Sequence, residues 1–121
     1  FTGFVGDDDL AALYSDALAT ALPSFSEGFG LPVLESMACG TPVLTGDTGA
    51  APEVAGGAGL TFDARDPAAI ARQIRRAAAG PATWEPLRAA AQARARHYSW
   101  ERAAELTFAS LEACAAGGRA R

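Results

Sequence analysis

The sequence predicts an α/β fold: a partial three-layer α/β/α arrangement with parallel strands and two terminal helices. Three observations carry that expectation. Short apolar runs alternate with stretches whose apolar residues recur every three or four positions, proline or glycine marks several junctions, and beyond residue 80 only the helical period remains. Alternation of this kind implies a parallel sheet joined by right-handed crossovers.

The elements follow in order. Phe1 to Val5 reads as a strand. Asp7-Asp8-Asp9 then precede Leu10, Leu13, Tyr14 and Ala17, a helix start, because carboxylates are favoured beside the free amides of a first turn. Leu18 to Leu22, stopped by Pro23, reads as a short, fully buried strand, although alanine makes it a weak one. A polar, glycine-rich loop spans Ser24 to Gly30. Pro32 opens the next helix, Gly40 closes it, and Val33, Leu34, Met37 and Ala38 form its inward face. Thr41 to Thr45 and Gly59 to Phe62 are strands, with one helical turn from Pro52 to Ala55 between them. Asp66-Pro67 caps a helix carrying Ile70 and Ile74 on one side, and Gly80-Pro81 ends it. Thr83 to Arg96 and Ser99 to Ala115 complete the helices. In the last, Ser99 is the cap and Trp100, Ala104, Phe108 and Leu111 make the expected buried stripe. Residues 1–116 are expected to form one partial domain, with 117–121 a frayed tail.

Composition narrows the classes. The 121 residues carry a net charge of −4, and all ten basic residues are arginines scattered over the second half. That balance argues against binding nucleic acid, which calls for a clustered basic face. Arg75-Arg76 and Arg94/Arg96 are expected to lie on solvated helix faces. No apolar run approaches the ~18 residues of a membrane span, and no secretory leader is seen. Cys39 and Cys114 lack metal-ligand spacing, which suits a reduced, cytoplasmic compartment, with Cys39 a small buried helix residue.

The chemistry concentrates between Glu27 and Glu35. The Ser24 to Gly30 loop leaves the carboxyl end of an expected strand, where open α/β sheets bind ligands. It feeds a helix whose first amides and positive dipole end suit a diphosphate. Gly28 and Gly30 allow close approach of backbone to ligand. Glu27 before the turn and Glu35 beyond it can accept from sugar and ribose hydroxyls, or stabilise positive charge at an anomeric carbon. On spacing alone this reading is favoured over a plainer one. In the plainer reading Glu27 is a loop surface residue and Glu35 only complements the helix dipole.

The run from Ser24 to Val43, with Glu27-Gly28-Phe29-Gly30-Leu31-Pro32 and Glu35-Ser36-Met37-Ala38-Cys39-Gly40-Thr41-Pro42 at its heart, closely resembles the signature of the family 4 glycosyltransferases. These are retaining enzymes of the two-Rossmann-domain GT-B fold. The resemblance extends to Phe1-Thr2-Gly3-Phe4-Val5, Pro52-Glu53-Val54, Asp66-Pro67 and Tyr98-Ser99-Trp100. It implies that Glu27 is the carboxylate nearest the reaction centre, in a positioning and electrostatic role rather than as nucleophile. Amides around Gly28, Phe29, Gly30 and Leu31 would hold sugar hydroxyls and the diphosphate, and Glu35 the ribose. The donor would be a nucleotide-diphosphate sugar and the acceptor a glycan, lipid or small molecule. No metal or other cofactor would be needed, and the leaving phosphate would help deprotonate the acceptor.

Other candidates carry less. Asp7-Asp8-Asp9 superficially matches a metal-binding DxD but reads as a helix start; His97 lacks a partner; Glu53 reads as a structural cap; Ser24 and Ser26 lack a nucleophile elbow. The resemblance also implies two earlier strand–helix units, one with a glycine-rich loop and a basic Arg and Lys pair, and a separate acceptor domain. This sequence has no lysine and neither part. In a sheet ordered 3-2-1-4-5-6, the Leu18 strand would be the fourth, without the first beside it. The piece alone is therefore expected not to transfer sugar, and its Leu18 to Leu22 edge to pair with another copy. The enzyme is expected to be cytoplasmic or peripheral to a membrane. Rival readings are a non-catalytic nucleotide-sugar or anion-binding module and a related GT-B phosphorylase or sugar-nucleotide epimerase.

Overall fold

The computed structural model describes residues 1–118. In chain order it has helix α1 (Asp7–Asp16), strand β1 (Thr20–Leu22), helix α2 (Leu31–Ala38), strand β2 (Val43–Gly46), helix α3 (Ala51–Ala55), strand β3 (Gly59–Phe62) and helices α4 (Pro67–Ala77), α5 (Pro81–Ala95) and α6 (Trp100–Gly118). The strands form one parallel sheet in the order β1-β2-β3, with Thr20 opposite Val43 and Val43 opposite Gly59. This is the sequential outer arm of a Rossmann-type sheet.

The central strand explains the layers. All four residues of β2 are buried, and successive side chains point to opposite faces. Val43 joins Val33, Met37, Val54, Ala55, Ala91 and Ala95 on the side covered by α2, α3 and α5. Leu44 joins Leu60, Phe62, Ala69 and Ala77 on the side covered by α4. Helices therefore cover both faces, as three layers require.

Prolines at the first helical positions open α2, α3, α4 and α5. The Asp66 cap of α4 is also present, its carboxylate accepting from the Ala68 amide at 2.8 Å. Ser99 caps α6 in the same way, accepting from the Arg102 amide at 3.1 Å. Helix α5 starts two residues earlier than the periodicity suggested because Pro81 fits its first turn.

Several expectations are corrected. Phe1 to Val5 is not a strand, and Phe1 and Phe4 are fully exposed, having no strand to pair with among the described residues. The Leu18 to Leu22 strand shortens to Thr20–Leu22 and is half-buried rather than buried, since only β2 flanks it. On α2, Ala38 is exposed and Ser36 is buried in its place, its hydroxyl bridging Thr20 Oγ1 (2.9 Å) and the Thr41 carbonyl (3.2 Å). Cys39 is half-buried at the end of α2, and both cysteines are free thiols. On α4 the buried positions are Ala69 and Ala77, while Ile74 is exposed. The largest departure is α6: Trp100, Phe108 and Leu111 are 82%, 64% and 63% exposed, and Ala104 is exposed too. The apolar stripe exists, but nothing among the described residues covers it. Of the tail, residues 119–121 lie outside the described part, and Gly117 and Gly118 belong to α6.

Candidate functional site

At the carboxyl end of the sheet, the loop leaving β1 runs from Pro23 to Gly30 and is backed by the loop leaving β2. Two bonds join them. The Thr48 hydroxyl donates to the Phe25 carbonyl at 2.8 Å, and the Ala50 amide donates to the Glu27 carbonyl at 3.2 Å. Gly49 lies between these donors, and a Cβ on it would sit 2.8 Å from the Glu27 nitrogen. The loop backbone is thus held at Phe25 and at Glu27 by the residues on either side of Gly49. Sequence reasoning missed Thr48, Gly49 and Ala50. The signal available was a Thr-Gly pair directly after a buried strand, where a close backbone approach is expected.

Glu27 is half-buried, Gly28 and Phe29 are exposed, and Gly30 is buried. The two glycines differ in what they do. Nothing lies within 4 Å of a Cβ placed on Gly28, so that position opens onto solvent and can admit a ligand against the backbone. At Gly30 the Cβ direction faces Ala51 at 3.5 Å rather than open solvent. Its φ of 94° turns the chain into α2.

The amides of Gly28, Phe29, Gly30 and Leu31 donate to no backbone carbonyl or side chain among the described residues. Pro32 has no N–H, and Val33 and Leu34 turn back onto the Gly30 carbonyl at 2.9 and 3.3 Å. Four neighbouring donors are left at the positive end of α2, which suits an anion or a set of hydroxyls. Glu35 follows on α2, exposed, with one carboxylate oxygen accepting from the Tyr14 hydroxyl of α1 at 3.2 Å. Burial, reinforced by the Glu35 charge, holds the Tyr14 phenol above its ordinary range. The phenol therefore stays protonated and keeps donating at neutral pH.

The remaining candidates separate from this corner. Asp7, Asp8 and Asp9 form the exposed first turn of α1 without a side-chain cap bond, so their part there is charge against dipole. His97 packs its Nδ1 3.0 Å from the Ala93 carbonyl at the end of α5. Glu53 caps nothing with its side chain; its carbonyl instead accepts from Arg94. Arg94 is not a solvated charge but reaches across to α3, because guanidinium donors match the carbonyls left free at a helix end. Arg88, on the same helix, likewise donates to the Gly40 carbonyl at 2.7 Å.

Comparison with known proteins decides the family. The profile of the Glycosyl transferases group 1 matches residues 1–98. The chain belongs to the group 1 glycosyltransferases. It is 43% identical over 101 residues to the O-antigen chain mannosyltransferase B of Escherichia coli, covering 84% of this chain and 26% of that protein. A serotype-specific mannosyltransferase of E. coli is 41% identical over 108 residues, covering 89% of this chain and 13% of the relative. A D-inositol 3-phosphate glycosyltransferase of Salinispora tropica is 41% identical over 100 residues, covering 78% and 20%. Among solved structures, sucrose-phosphate synthase from Thermosynechococcus elongatus superposes with a TM-score of 0.84 at 32% identity, over 96% of this chain and 30% of that one. The chain therefore spans about a quarter or less of the curated relatives it matches. The family profile ends at Tyr98, before α6, whereas the superposition on sucrose-phosphate synthase covers 96% of the chain.

Proposed function

We propose that these residues form part of the donor-binding domain of a retaining, family 4 glycosyltransferase that uses a nucleotide-diphosphate sugar. The observation that carries this reading is the row of four unpartnered amides from Gly28 to Leu31, set between Glu27 and Glu35. In this reading the amides and the α2 dipole take the diphosphate and sugar hydroxyls. Glu27, its backbone tied to Ala50, faces the transferred sugar and stabilises charge at the anomeric carbon. Glu35 accepts from the ribose, with Tyr14 occupying its other oxygen. The leaving phosphate assists deprotonation of the acceptor on the same face of the sugar, and the protein supplies no metal. The mannosyltransferase relatives make mannose the first sugar to try. Reducing cytoplasm is the compartment that suits the free thiols of Cys39 and Cys114. No helix among the described residues is long and apolar enough to cross a membrane.

The test is a titration of nucleotide sugars against the full-length gene product and its Glu27→Ala and Glu35→Ala variants. Glu27→Ala should lower kcat by about a hundredfold. Glu35→Ala should act mainly on donor KM, raising it roughly tenfold. Negligible and equal effects from both would remove the site assignment.

A further inference from the structure

Phe29 is the one large side chain among the residues with free amides before α2, and something outside the loop holds it. Its ring meets that of Tyr98 edge-on, with centroids 5.8 Å apart and planes at 87°. Tyr98 is half-buried, just past the end of α5, and packs against the core on the α2 side. Its hydroxyl accepts from Arg94 at 2.7 Å, and the guanidinium also lies 5.1 Å from the ring centroid. Arg94 donates further to the carbonyls of Glu53 (2.9 Å) and Val54 (3.1 Å). Segments from α3, α5 and the residues after α5 thus converge on the glycine loop at a single aromatic contact. The neighbouring Gly28 supplies no side chain, and the Phe29 amide has no partner.

We propose that Tyr98, anchored by Arg94, is a positioning residue that sets Phe29 and, through it, the amides of Phe29 and Gly30 for the donor. This inference rests on the donor-site reading above. It assigns a role in donor affinity to residues about seventy positions from the loop in sequence. A Tyr98 that only filled the core would affect stability without affecting donor affinity.

The experiment uses the full-length gene product with nucleotide-activated mannose as donor, reading KM, kcat and the unfolding midpoint. Tyr98→Leu removes the ring and should raise donor KM about two- to tenfold, with less change in kcat. Tyr98→Phe keeps the ring and its contact with the Arg94 guanidinium but removes the Arg94 hydrogen bond, and should give a smaller rise. The Phe29→Leu/Tyr98→Leu double variant should be no worse in KM than Phe29→Leu alone, because both remove one contact. An unchanged KM in Tyr98→Leu, or fully additive effects in the double variant, overturns the proposal. If Tyr98→Leu does not fold, Tyr98→Phe decides: a raised KM supports the strut and an unchanged one ends it. Glu27→Ala and Glu35→Ala run alongside. Damage from those two with none from Tyr98 refutes the strut alone, whereas no damage from those two refutes the donor site itself.

Discussion

Gly30 and Asp66 begin the two helices on opposite faces of the sheet, and they do so by different physics. At Gly30 the backbone itself is turned, with φ at 94°, a value that costs an L-residue about 1–2 kcal/mol. At Asp66 the side chain does the work, accepting from the Ala68 amide and holding a second interaction with Ala69. Those two amide donors hold its carboxyl below the ordinary aspartate range. Because the folded value lies below the unfolded one, the cap stabilises the protein above the unfolded pKa. That contribution fades as pH falls through the folded value, in the region below about pH 4. Asp66→Ala should therefore lower the urea midpoint at pH 7, and the difference from the parent should shrink at pH 3. An undiminished difference at pH 3 would mean that the carboxylate charge contributes nothing.

The edge strand β1 is the element with most at stake. Thr20 donates inward to the Pro42 carbonyl at 2.9 Å, so the alternation of a parallel strand turns the Ala21 amide away from β2. Ala21 is exposed, and that outward row can pair with a second copy. Light scattering of the 121-residue chain should show mass rising with concentration, and Ala21→Pro should suppress the rise, since it deletes an outward donor and no ladder bond. A mass that stays monomeric at high concentration would defeat this. The same strand shows where sequence patterning stops. β3, α3 and the start of α4 were legible to within a residue, because proline, glycine and a capping aspartate mark them, while α4 ends at Ala77, short of Gly80. The covering of the α6 face was not legible. A period of 3.6 identifies which side chains share a face, but what covers them depends on chain far away in sequence. Arg94 was misread for a similar reason: its acceptors are carbonyls of another helix, to which side-chain patterning is blind.

At the scale of the whole molecule, the sheet presents one carboxyl edge, and two successive loops there lie back to back. The glutamates and glycines of that corner could be read in the sequence, whereas the Thr48 to Ala50 support and the Tyr98 contact arise only once parallel strands bring loop ends together. In the proposed chemistry, amides and a helix terminus neutralise the diphosphate, so divalent cations have no assigned task. Transfer by the full-length gene product should then be unchanged by excess EDTA. Loss of activity in EDTA that magnesium or manganese restores would show that a metal shares the work.

The tether between the two loops reaches Phe25 and Glu27 through their carbonyls alone. Its grip is therefore blind to which side chains those positions carry. The path of the loop and its chemical identity are separate variables, and residues such as Ser26 can be exchanged without moving the scaffold beneath them. In the proposed donor site, replacing a side chain such as Ser26 would change the chemistry of the corner while the Phe25 and Glu27 carbonyls stay tethered, whereas Phe29, whose ring meets Tyr98, carries no such freedom.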